Sequence, residues 1–481
     1  VTRAARDETV HDIADAVLVA RRDLASAYRQ VAPGRADLSS EVVFQSVIER
    51  VDELEKDLAL ADPTYRAGRD FTAEQVVEAL PSNAALIDYT LFTPYDFETR
   101  LWAEAPHVGA VVLRPDADAV FVDLGPLAVI QSAIEDLSAT LGSGDRGKIA
   151  GVKLHRALMA PLDAHIGETE TLFISPAGPL GLIPFDMLRT SPSDKSTLAA
   201  SGPAIRLLAT GRALVAEAPE AAGRGLVAFG AVDYEQAGSI SPTSEDTDDT
   251  LLALIERARA SSADSVIRAG GLQNFASLVH TAAELNAIAR IWRKAGGETP
   301  ELHIGANALE ARLTSMTAAP RVLHLATHGF AEETEPVGAR AALLTGIALA
   351  GANRRTETET SDDGVLFGYE IEPLDLAGTE LVVVSACETG VGRVDATEGI
   401  YSLARSFRLA GAGAVLVTLK QIDDALTADF MSDFYQTWLR TPGTTPAQAL
   451  AVTKRDWANS TDPSRSSPST WAAFVLIENR V

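Results

Sequence analysis

Two stretches of the chain run through consecutive aliphatic residues and then change abruptly to small and polar ones. The first, 321–330, is Arg-Val-Leu-His-Leu-Ala-Thr-His-Gly-Phe, and the second, 381–390, is Leu-Val-Val-Val-Ser-Ala-Cys-Glu-Thr-Gly. Continuous aliphatic runs bounded by turn residues predict strands buried on both faces of a parallel sheet. His328 and Cys387 would then follow the carboxyl ends of their strands, where open α/β sheets place their functional residues.

Strand-like and helical patterns alternate along most of the remaining chain, which indicates a mostly parallel sheet with helices on both faces. Residues 1 to about 75 have helical periodicity, with an apolar face that includes Val47, Val51 and Leu54. Further elements are predicted as strands at 85–92, 108–114, 119–124, 171–175, 343–350, 414–419 and 472–477, and as helices at 280–294, 308–316, 397–409, 425–440 and 446–457.

These patterns divide the chain into four predicted regions. They are a helical segment at 1–75, a smaller α/β region at 76–231, an insertion or linker at 232–277 with a surface loop and a helix near 251–259, and a second α/β region at 278–481. The helical segment has two interpretations. It is either the end of a helical-repeat array or a pair of helices packed onto the α/β region, and the sequence lacks a clean 34-residue self-similarity that would favour the array.

Composition and charge narrow the classes of partner and compartment. The formal net charge of −25 over 481 residues argues against nucleic acid or an anionic membrane surface as the main partner, because both require a positive footprint. Cys387 is the only cysteine, which excludes an internal disulfide and is typical of a reducing compartment. The sequence has neither a run of membrane-spanning length nor a signal-peptide core, so a cytoplasmic protein is expected.

His328 and Cys387 are the candidate reactive pair. If their strands are parallel neighbours, the two side chains face each other across one sheet edge although they lie 59 positions apart (387 − 328). A histidine at that place is able to take the thiol proton and produce the nucleophilic thiolate. His324 is on the same strand, roughly 13 Å from His328 at about 3.3 Å per residue, which is too far for a shared zinc ion. His324 is therefore interpreted as a buried, hydrogen-bonded structural residue.

The residues around this pair resemble a known family. His-Leu-Ala-Thr-His-Gly-Phe followed by Ser-Ala-Cys-Glu-Thr-Gly is similar to the signature pair of the CHAT domain, a caspase-like cysteine peptidase domain related to separase and usually linked to tetratricopeptide repeats. Similar runs occur at Ala85–Tyr89, Ile174–Leu188, Ala282–Ala289 and from Trp471 onward. The resemblance implies a caspase-like α/β fold in which Cys387 is the nucleophile, His328 is the base and the backbone N–H of Gly329 is an oxyanion donor.

The expected function is therefore a cysteine endopeptidase that cleaves a protein substrate without a metal or organic cofactor. A regulatory protein partner is expected to act through the N-terminal helices. Two alternatives remain open, a catalytically silent caspase-like scaffold that binds partners and a non-peptide acyl hydrolase or transferase that shares the dyad.

Asp423 and Asp424 follow the predicted strand at 414–419 and allow two interpretations. One of them is the N-cap of the next helix, which is a common role for Asp and requires no function. In separase-like relatives the loop after this strand helps to recognise the residue before the scissile bond, which implies that the two acids bind Arg or Lys of the substrate. Lys420 stands where the family usually has Trp, so the wall of that pocket departs from the family pattern.

Overall fold

The computed structural model describes most of the chain, with gaps. The described residues are 12–13, 16–17, 19–20, 38–61, 71–140, 144–193, 196–216, 222–238, 275–278, 280–331, 345–357, 363–385, 394–419 and 422–481. The predicted helix near 251–259 lies outside them.

The described helices are numbered here in chain order. They are α1 (Leu38–Ala61), α2 (Ala73–Ala79), α3 (Leu127–Thr140), α4 (Asp145–Leu158), α5 (Asp163–Ile166), α6 (Leu198–Ser201), α7 (Thr281–Lys294), α8 (Glu310–Thr314), α9 (Gly368–Ile371), α10 (Val394–Leu409), α11 (Asp424–Arg440), α12 (Pro446–Ala458), α13 (Pro463–Ser466) and α14 (Pro468–Trp471).

The described strands are numbered in the same way. They are β1 (Ala84–Phe92), β2 (Tyr95–Asp96), β3 (Leu101–Trp102), β4 (His107–Arg114), β5 (Ala117–Pro126), β6 (Thr171–Ser175), β7 (Ala204–Leu208), β8 (Leu226–Val232), β9 (Glu301–Gly305), β10 (Val322–Leu325), β11 (Gly329–Ala331), β12 (Thr345–Ala348), β13 (Val365–Phe367), β14 (Leu381–Val384), β15 (Ala414–Thr418) and β16 (Phe474–Glu478).

Eleven of these strands form one sheet in the order β5-β4-β1-β6-β7-β16-β15-β14-β10-β8-β9. Neighbouring strands are parallel except at β5-β4, β4-β1 and β16-β15. Every residue of β10, β14, β15 and β16 is buried, as expected for central strands covered on both faces. The predicted mostly parallel α/β class is confirmed.

The sheet is continuous between the two predicted α/β regions because β16 pairs with β7 on one side and with β15 on the other. Arg206 of β7 and Glu478 of β16 form an ion pair at this junction, with Arg206 Nε 2.7 Å from Glu478 Oε2 and both side chains largely buried. The Arg206 guanidinium also lies 4.8 Å from the centre of the Phe173 ring. We refer to the β7-β16 pairing and its ion pair as the seam.

Two smaller features complete the part of the fold that the site uses. Strands β11, β12 and β13 form an antiparallel sheet that begins at Gly329, directly after the loop that leaves β10. Helix α1 contributes Val51, Leu54 and Leu58 to the main hydrophobic core. The apolar face predicted for this segment is therefore packed against the core.

No helix in the described part of the chain is long and apolar enough to cross a membrane.

Candidate active site

His328 lies where the chain leaves the main sheet and enters the small one. Strand β10 ends at Leu325, and β11 begins at Gly329. The His328 carbonyl accepts a hydrogen bond of 2.8 Å from Ala348 N–H of the small sheet. Only 1% of His328 is exposed. Its backbone is therefore fixed by the junction between the two sheets.

The ring of His328 is held in one tautomer. Its Nε2 lies 2.6 Å from the carbonyl oxygen of Ala276, and because a carbonyl only accepts, Nε2 carries the hydrogen. In the neutral ring Nδ1 is then the nitrogen with the basic lone pair. Aromatic rings flank the imidazole, with centroid distances of 5.2 Å to Tyr234 and 5.7 Å to Phe275, the latter nearly parallel at 27°.

Asn353 holds the segment that supplies this carbonyl. Its Oδ1 accepts from Phe275 N–H at 2.7 Å, its Nδ2 donates to the Phe275 carbonyl at 3.1 Å, and its own backbone N–H donates to the Tyr234 carbonyl at 2.9 Å. Asn353 thus connects the segment at 275–278 to the end of β8. The position of the Ala276 carbonyl is fixed from behind.

Thr327 anchors the other side of the His328 loop. Its hydroxyl donates to the carbonyl of Ala348, and the Tyr234 hydroxyl lies 3.0 Å from Thr327 Oγ1. Because the single hydroxyl proton of Thr327 is used on Ala348, the Tyr234 hydroxyl is the donor in the second bond. The loop that bears His328 is therefore bonded to β12 and to the end of β8.

Cys387 lies outside the described residues, but the strand before it is described. Strands β10 and β14 are parallel neighbours, as predicted, with register pairs from Val322↔Leu381 to Leu325↔Val384. Ser385 continues the ladder, its N–H donating to the Leu325 carbonyl at 3.0 Å. His328 and Cys387 both come three positions after the last register pair (328 − 325 and 387 − 384). The two residues therefore occupy matched sequence positions after adjacent parallel strands.

Gly329 has a backbone orientation compatible with the predicted oxyanion role. In an antiparallel ladder, hydrogen-bonded and non-hydrogen-bonded pairs alternate. Ala348 N–H donates to the His328 carbonyl, so the next pair, Gly329↔Ile347, is the non-hydrogen-bonded kind. The peptide N–H of Gly329 consequently points away from β12. Its role as an oxyanion donor stays a prediction.

His324 is buried and hydrogen-bonded, as predicted for a structural residue of the strand. It is fully enclosed, with Nδ1 3.1 Å from the hydroxyl of Tyr435 and Nε2 3.2 Å from Glu284 Oε1. The same carboxylate oxygen lies 3.1 Å from Ser385 Oγ. Glu284 was not predicted from the sequence. The available signal was a charged residue within the apolar stripe of α7, three positions after Thr281.

Asp423 is the N-cap of α11, which agrees with the first of the two interpretations given for Asp423 and Asp424. Its Oδ1 accepts from Ala425 N–H at 3.0 Å and from Leu426 N–H at 3.2 Å. Asp424 is the first residue of the helix, and its side chain lies outside the description, as does Lys420. A role of either carboxylate in substrate binding stays a prediction.

Comparison with known proteins places the chain in a family. The CHAT domain model matches residues 148–479, which is 332 of 481 positions (479 − 148 + 1). The chain belongs to the CHAT domain family. This confirms the resemblance drawn from the residues, whereas a link to tetratricopeptide repeats stays a prediction. No protein of curated function matches the sequence.

Solved structures show more distant similarity. One is the Saccharomyces cerevisiae separase–securin complex, with 9% identity and a TM-score of 0.43 over 94% of this chain and 35% of that chain. Another is the Arg-specific cysteine proteinase gingipain R, with 8% identity and a TM-score of 0.36 over 73% of each chain. This chain spans about a third of the length of the separase chain.

Proposed function

We propose that the chain is a cysteine endopeptidase in which His328 and Cys387 form the catalytic dyad. The observation that carries the proposal is the fixed ring of His328, with Nε2–H donated to the Ala276 carbonyl, beyond the end of a strand that is parallel and adjacent to the strand of Cys387. The matched offsets of the two residues support the pairing. Family membership supports peptidase chemistry on this fold.

The first half of the reaction forms an acyl-enzyme. His328 Nδ1 takes the proton of the Cys387 thiol, and the thiolate attacks the carbonyl carbon of the scissile peptide bond. The tetrahedral oxyanion is stabilised by backbone N–H groups, including that of Gly329. The Ala276 carbonyl continues to accept from Nε2–H and so stabilises the imidazolium. As the C–N bond breaks, Nδ1–H gives its proton to the leaving amine, which departs and leaves a thioester.

The second half releases the acid product. Water replaces the amine, Nδ1 takes one of its protons, and the oxygen attacks the thioester carbonyl. The C–S bond then breaks, and the Cys387 sulfur recovers the proton from Nδ1–H. This chemistry requires no metal or organic cofactor.

The dyad is tested by chemical modification together with substrate cleavage. Because Cys387 is the only cysteine, every iodoacetamide adduct reports on that side chain. We expect wild-type Cys387 to react faster than free cysteine at neutral pH, and we expect His328→Ala to shift the pH profile of the reaction upward. Cys387→Ala and His328→Ala should lose cleavage of a proteome-derived peptide library. His107→Ala, at a partly exposed histidine in β4, is the matched control.

A silent scaffold gives the opposite result. Reaction of Cys387 at or below the rate of free cysteine, with no cleaved peptide that depends on Cys387, would show that the fold binds partners without catalysis. Cleavage of esters or thioesters but of no peptide would instead favour the acyl hydrolase or transferase alternative.

Regulation by a protein partner is proposed for the N-terminal helical segment. Helix α1 has its apolar face packed in the core, and its other face contains exposed Glu49, Glu53 and Lys56. A partner that binds this polar face would therefore contact a helix whose opposite face packs in the main core, and a shift of the helix would alter that packing. We expect the purified chain alone to turn over slowly. Full turnover by the purified chain, unchanged after 1–61 is removed from a chain that still folds, would contradict this proposal.

A further inference from the structure

A buried polar network lies at the carboxyl ends of β10 and β14. It consists of Glu284 from α7, His324 from β10, Ser385 after β14 and Tyr435 from α11. None of these residues is more than 9% exposed. The contacts are 3.1 Å from Ser385 Oγ to Glu284 Oε1, 3.2 Å from Glu284 Oε1 to His324 Nε2, and 3.1 Å from His324 Nδ1 to the Tyr435 hydroxyl.

The carboxylate sets the direction of each hydrogen bond. An ionised carboxylate only accepts, so Glu284 Oε1 receives both the Ser385 hydroxyl and the Nε2–H of His324. In the neutral ring His324 Nδ1 then accepts from the Tyr435 hydroxyl. Burial, followed by the nearby charge of Glu284, raises the pKa of Tyr435 well above its usual value, which keeps this hydroxyl protonated and able to donate. The Ser385 hydroxyl therefore points toward the network.

Helix α7 is placed so that Glu284 reaches the sheet. Thr281 Oγ1 accepts from the N–H of Ala231 at 3.0 Å, which ties the start of the helix to the irregular end of β8. Gly230 allows close approach there, because a Cβ at this position would lie 2.8 Å from Leu285 Cδ1. The helix consequently lies close to β8. From this position the Glu284 side chain reaches His324 of β10 and Ser385 after β14.

A stability role alone does not account for Glu284. A buried ion pair or carboxylate is often no better for stability than well-packed apolar residues of the same size. Among the described residues, the ion-pair contact of Glu284 is with a histidine rather than with Lys or Arg. Glu284 does, however, bond a side chain two positions before Cys387. Ser385 is thus held by its backbone N–H on Leu325 and by its hydroxyl on Glu284.

We propose that Glu284 is a positioning residue that fixes the start of the nucleophile segment by holding Ser385 Oγ, with His324 and Tyr435 orienting the carboxylate. The inference rests on the proposed peptidase function. It assigns no proton transfer to Glu284. Its effect is on Ser385, which lies two positions before the proposed nucleophile Cys387 in the sequence.

The test compares two changes in the network with two matched changes outside it. Ser385→Ala removes the hydroxyl, and Glu284→Gln keeps the size of the side chain while removing its charge. Ser406→Ala, at a serine of α10 with 1% exposure, and Glu310→Gln, at a glutamate of α8 with 4% exposure, are the controls. Ser385→Thr retains a hydroxyl and serves as the rescue variant. Each protein is assayed on a peptide that the wild type cleaves, for iodoacetamide reaction at Cys387, and for its urea unfolding midpoint.

We expect Ser385→Ala and Glu284→Gln to lower kcat by about 10- to 100-fold with KM within roughly twofold, because small misplacement of a nucleophile costs about this much. Iodoacetamide reaction at Cys387 should slow in parallel. Ser385→Thr should recover at least part of kcat. Ser385→Ala leaves the Glu284 carboxylate with one hydrogen bond fewer, whereas the Ser406 hydroxyl has no hydrogen-bond partner among the described residues. The unfolding midpoint of Ser385→Ala should therefore lie modestly below that of Ser406→Ala.

Three results would overturn the inference while leaving the peptidase proposal intact. They are an unchanged kcat in Ser385→Ala, a loss of kcat no larger than in the matched controls, and a loss that follows a fall in unfolding midpoint far beyond that of Ser406→Ala. If Glu284→Gln does not fold, Ser385→Ala decides by the same criteria. Failure of the peptidase proposal looks different, because wild type itself would then cleave no peptide and the inference would fall with it.

Discussion

At the scale of single residues, two histidines four positions apart have opposite surroundings. His324 is fully enclosed and bonds only side chains, those of Glu284 and Tyr435, in the contacts described above. His328 instead donates to a backbone carbonyl, which fixes its tautomer and places the basic lone pair of the neutral ring on Nδ1. The first arrangement is suited to holding packed elements together, and the second to moving a proton.

His324→Ala should therefore lower stability more than the matched change at a partly exposed histidine. The substitution leaves the buried Glu284 carboxylate and the Tyr435 hydroxyl each without one hydrogen bond, which costs roughly 2–4 kcal/mol in the free energy of unfolding. Urea denaturation of His324→Ala and His107→Ala measures the difference. A His324→Ala protein as stable as wild type would contradict this structural role. If it were also inactive while His328→Ala stayed active, the roles of the two histidines would be reversed.

The sequence predicted His324 and His328 because each stands out against an aliphatic run. It did not predict Ala276, Asn353 or Glu284. The first acts through its backbone carbonyl, which no residue type encodes. The other two act across contacts of 40 to 78 positions, from Glu284 to His324 and from Phe275 to Asn353, that only the folded chain establishes.

At the scale of elements, the residue that precedes α11 has a clear local role. Asp423 accepts from two backbone N–H groups of the first turn, and Asp424 follows as the first helical residue. A carboxylate oriented toward its own helix has less freedom to meet a substrate side chain. Asp424 is for this reason the better candidate for contact with Arg or Lys before the scissile bond.

Asp423→Ala should lower the free energy of unfolding by about 1 kcal/mol, as for other N-cap losses, and Asp424→Ala should not. Thr445→Ala, which removes the N-cap of α12, gives a matched comparison. A peptide library varied at the position before the scissile bond should show a basic preference in wild type that is lost in Asp424→Ala. A preference for Leu or Met that survives this substitution would place the pocket on other residues.

Strands with unbroken aliphatic runs were predictable, whereas strands with interrupted runs were not. The predicted 171–175 coincides with β6, and the predicted 414–419 differs from β15 by one residue. Strands β7, β8 and β9 were not predicted from the sequence. Strand β8 contains Gly230, which weakens a strand pattern but allows α7 to pack closely. Strand β9 begins at an exposed Glu301 and has His303 at its centre, so its aliphatic run is interrupted.

At the scale of the whole molecule, the seam joins the two halves of the large sheet into one continuous sheet. Burial of the Glu478 side chain raises its pKa, although the Arg206 guanidinium acts in the opposite direction. A carboxyl whose folded-state pKa lies above its unfolded value binds more protons when folded. Its contribution to stability is thus complete at acid pH and is lost as pH rises through the raised pKa.

Arg206→Ala should lower the free energy of unfolding by about 3–5 kcal/mol at neutral pH, because the Glu478 carboxylate stays buried without its cation. Acidification should recover part of this loss, since protonation of Glu478 removes the buried charge. Urea unfolding as a function of pH measures both effects. The double variant Arg206→Leu/Glu478→Gln is the control, and equal pH dependence in it and in Arg206→Ala would show that Glu478 is not the group responsible.

The strand at the middle of the large sheet has a consequence for synthesis. β16 lies between β7 and β15, yet it follows the other ten strands of that sheet along the chain. On a ribosome, β7 and β15 would each emerge with an unpaired edge, and unpaired edges invite association with other chains. The two halves unite only after residues 474–478 leave the exit tunnel. Translation that terminates before residue 474 would therefore produce a chain in which β7 and β15 both have exposed edges. Such a chain would be a target for chaperones and proteases.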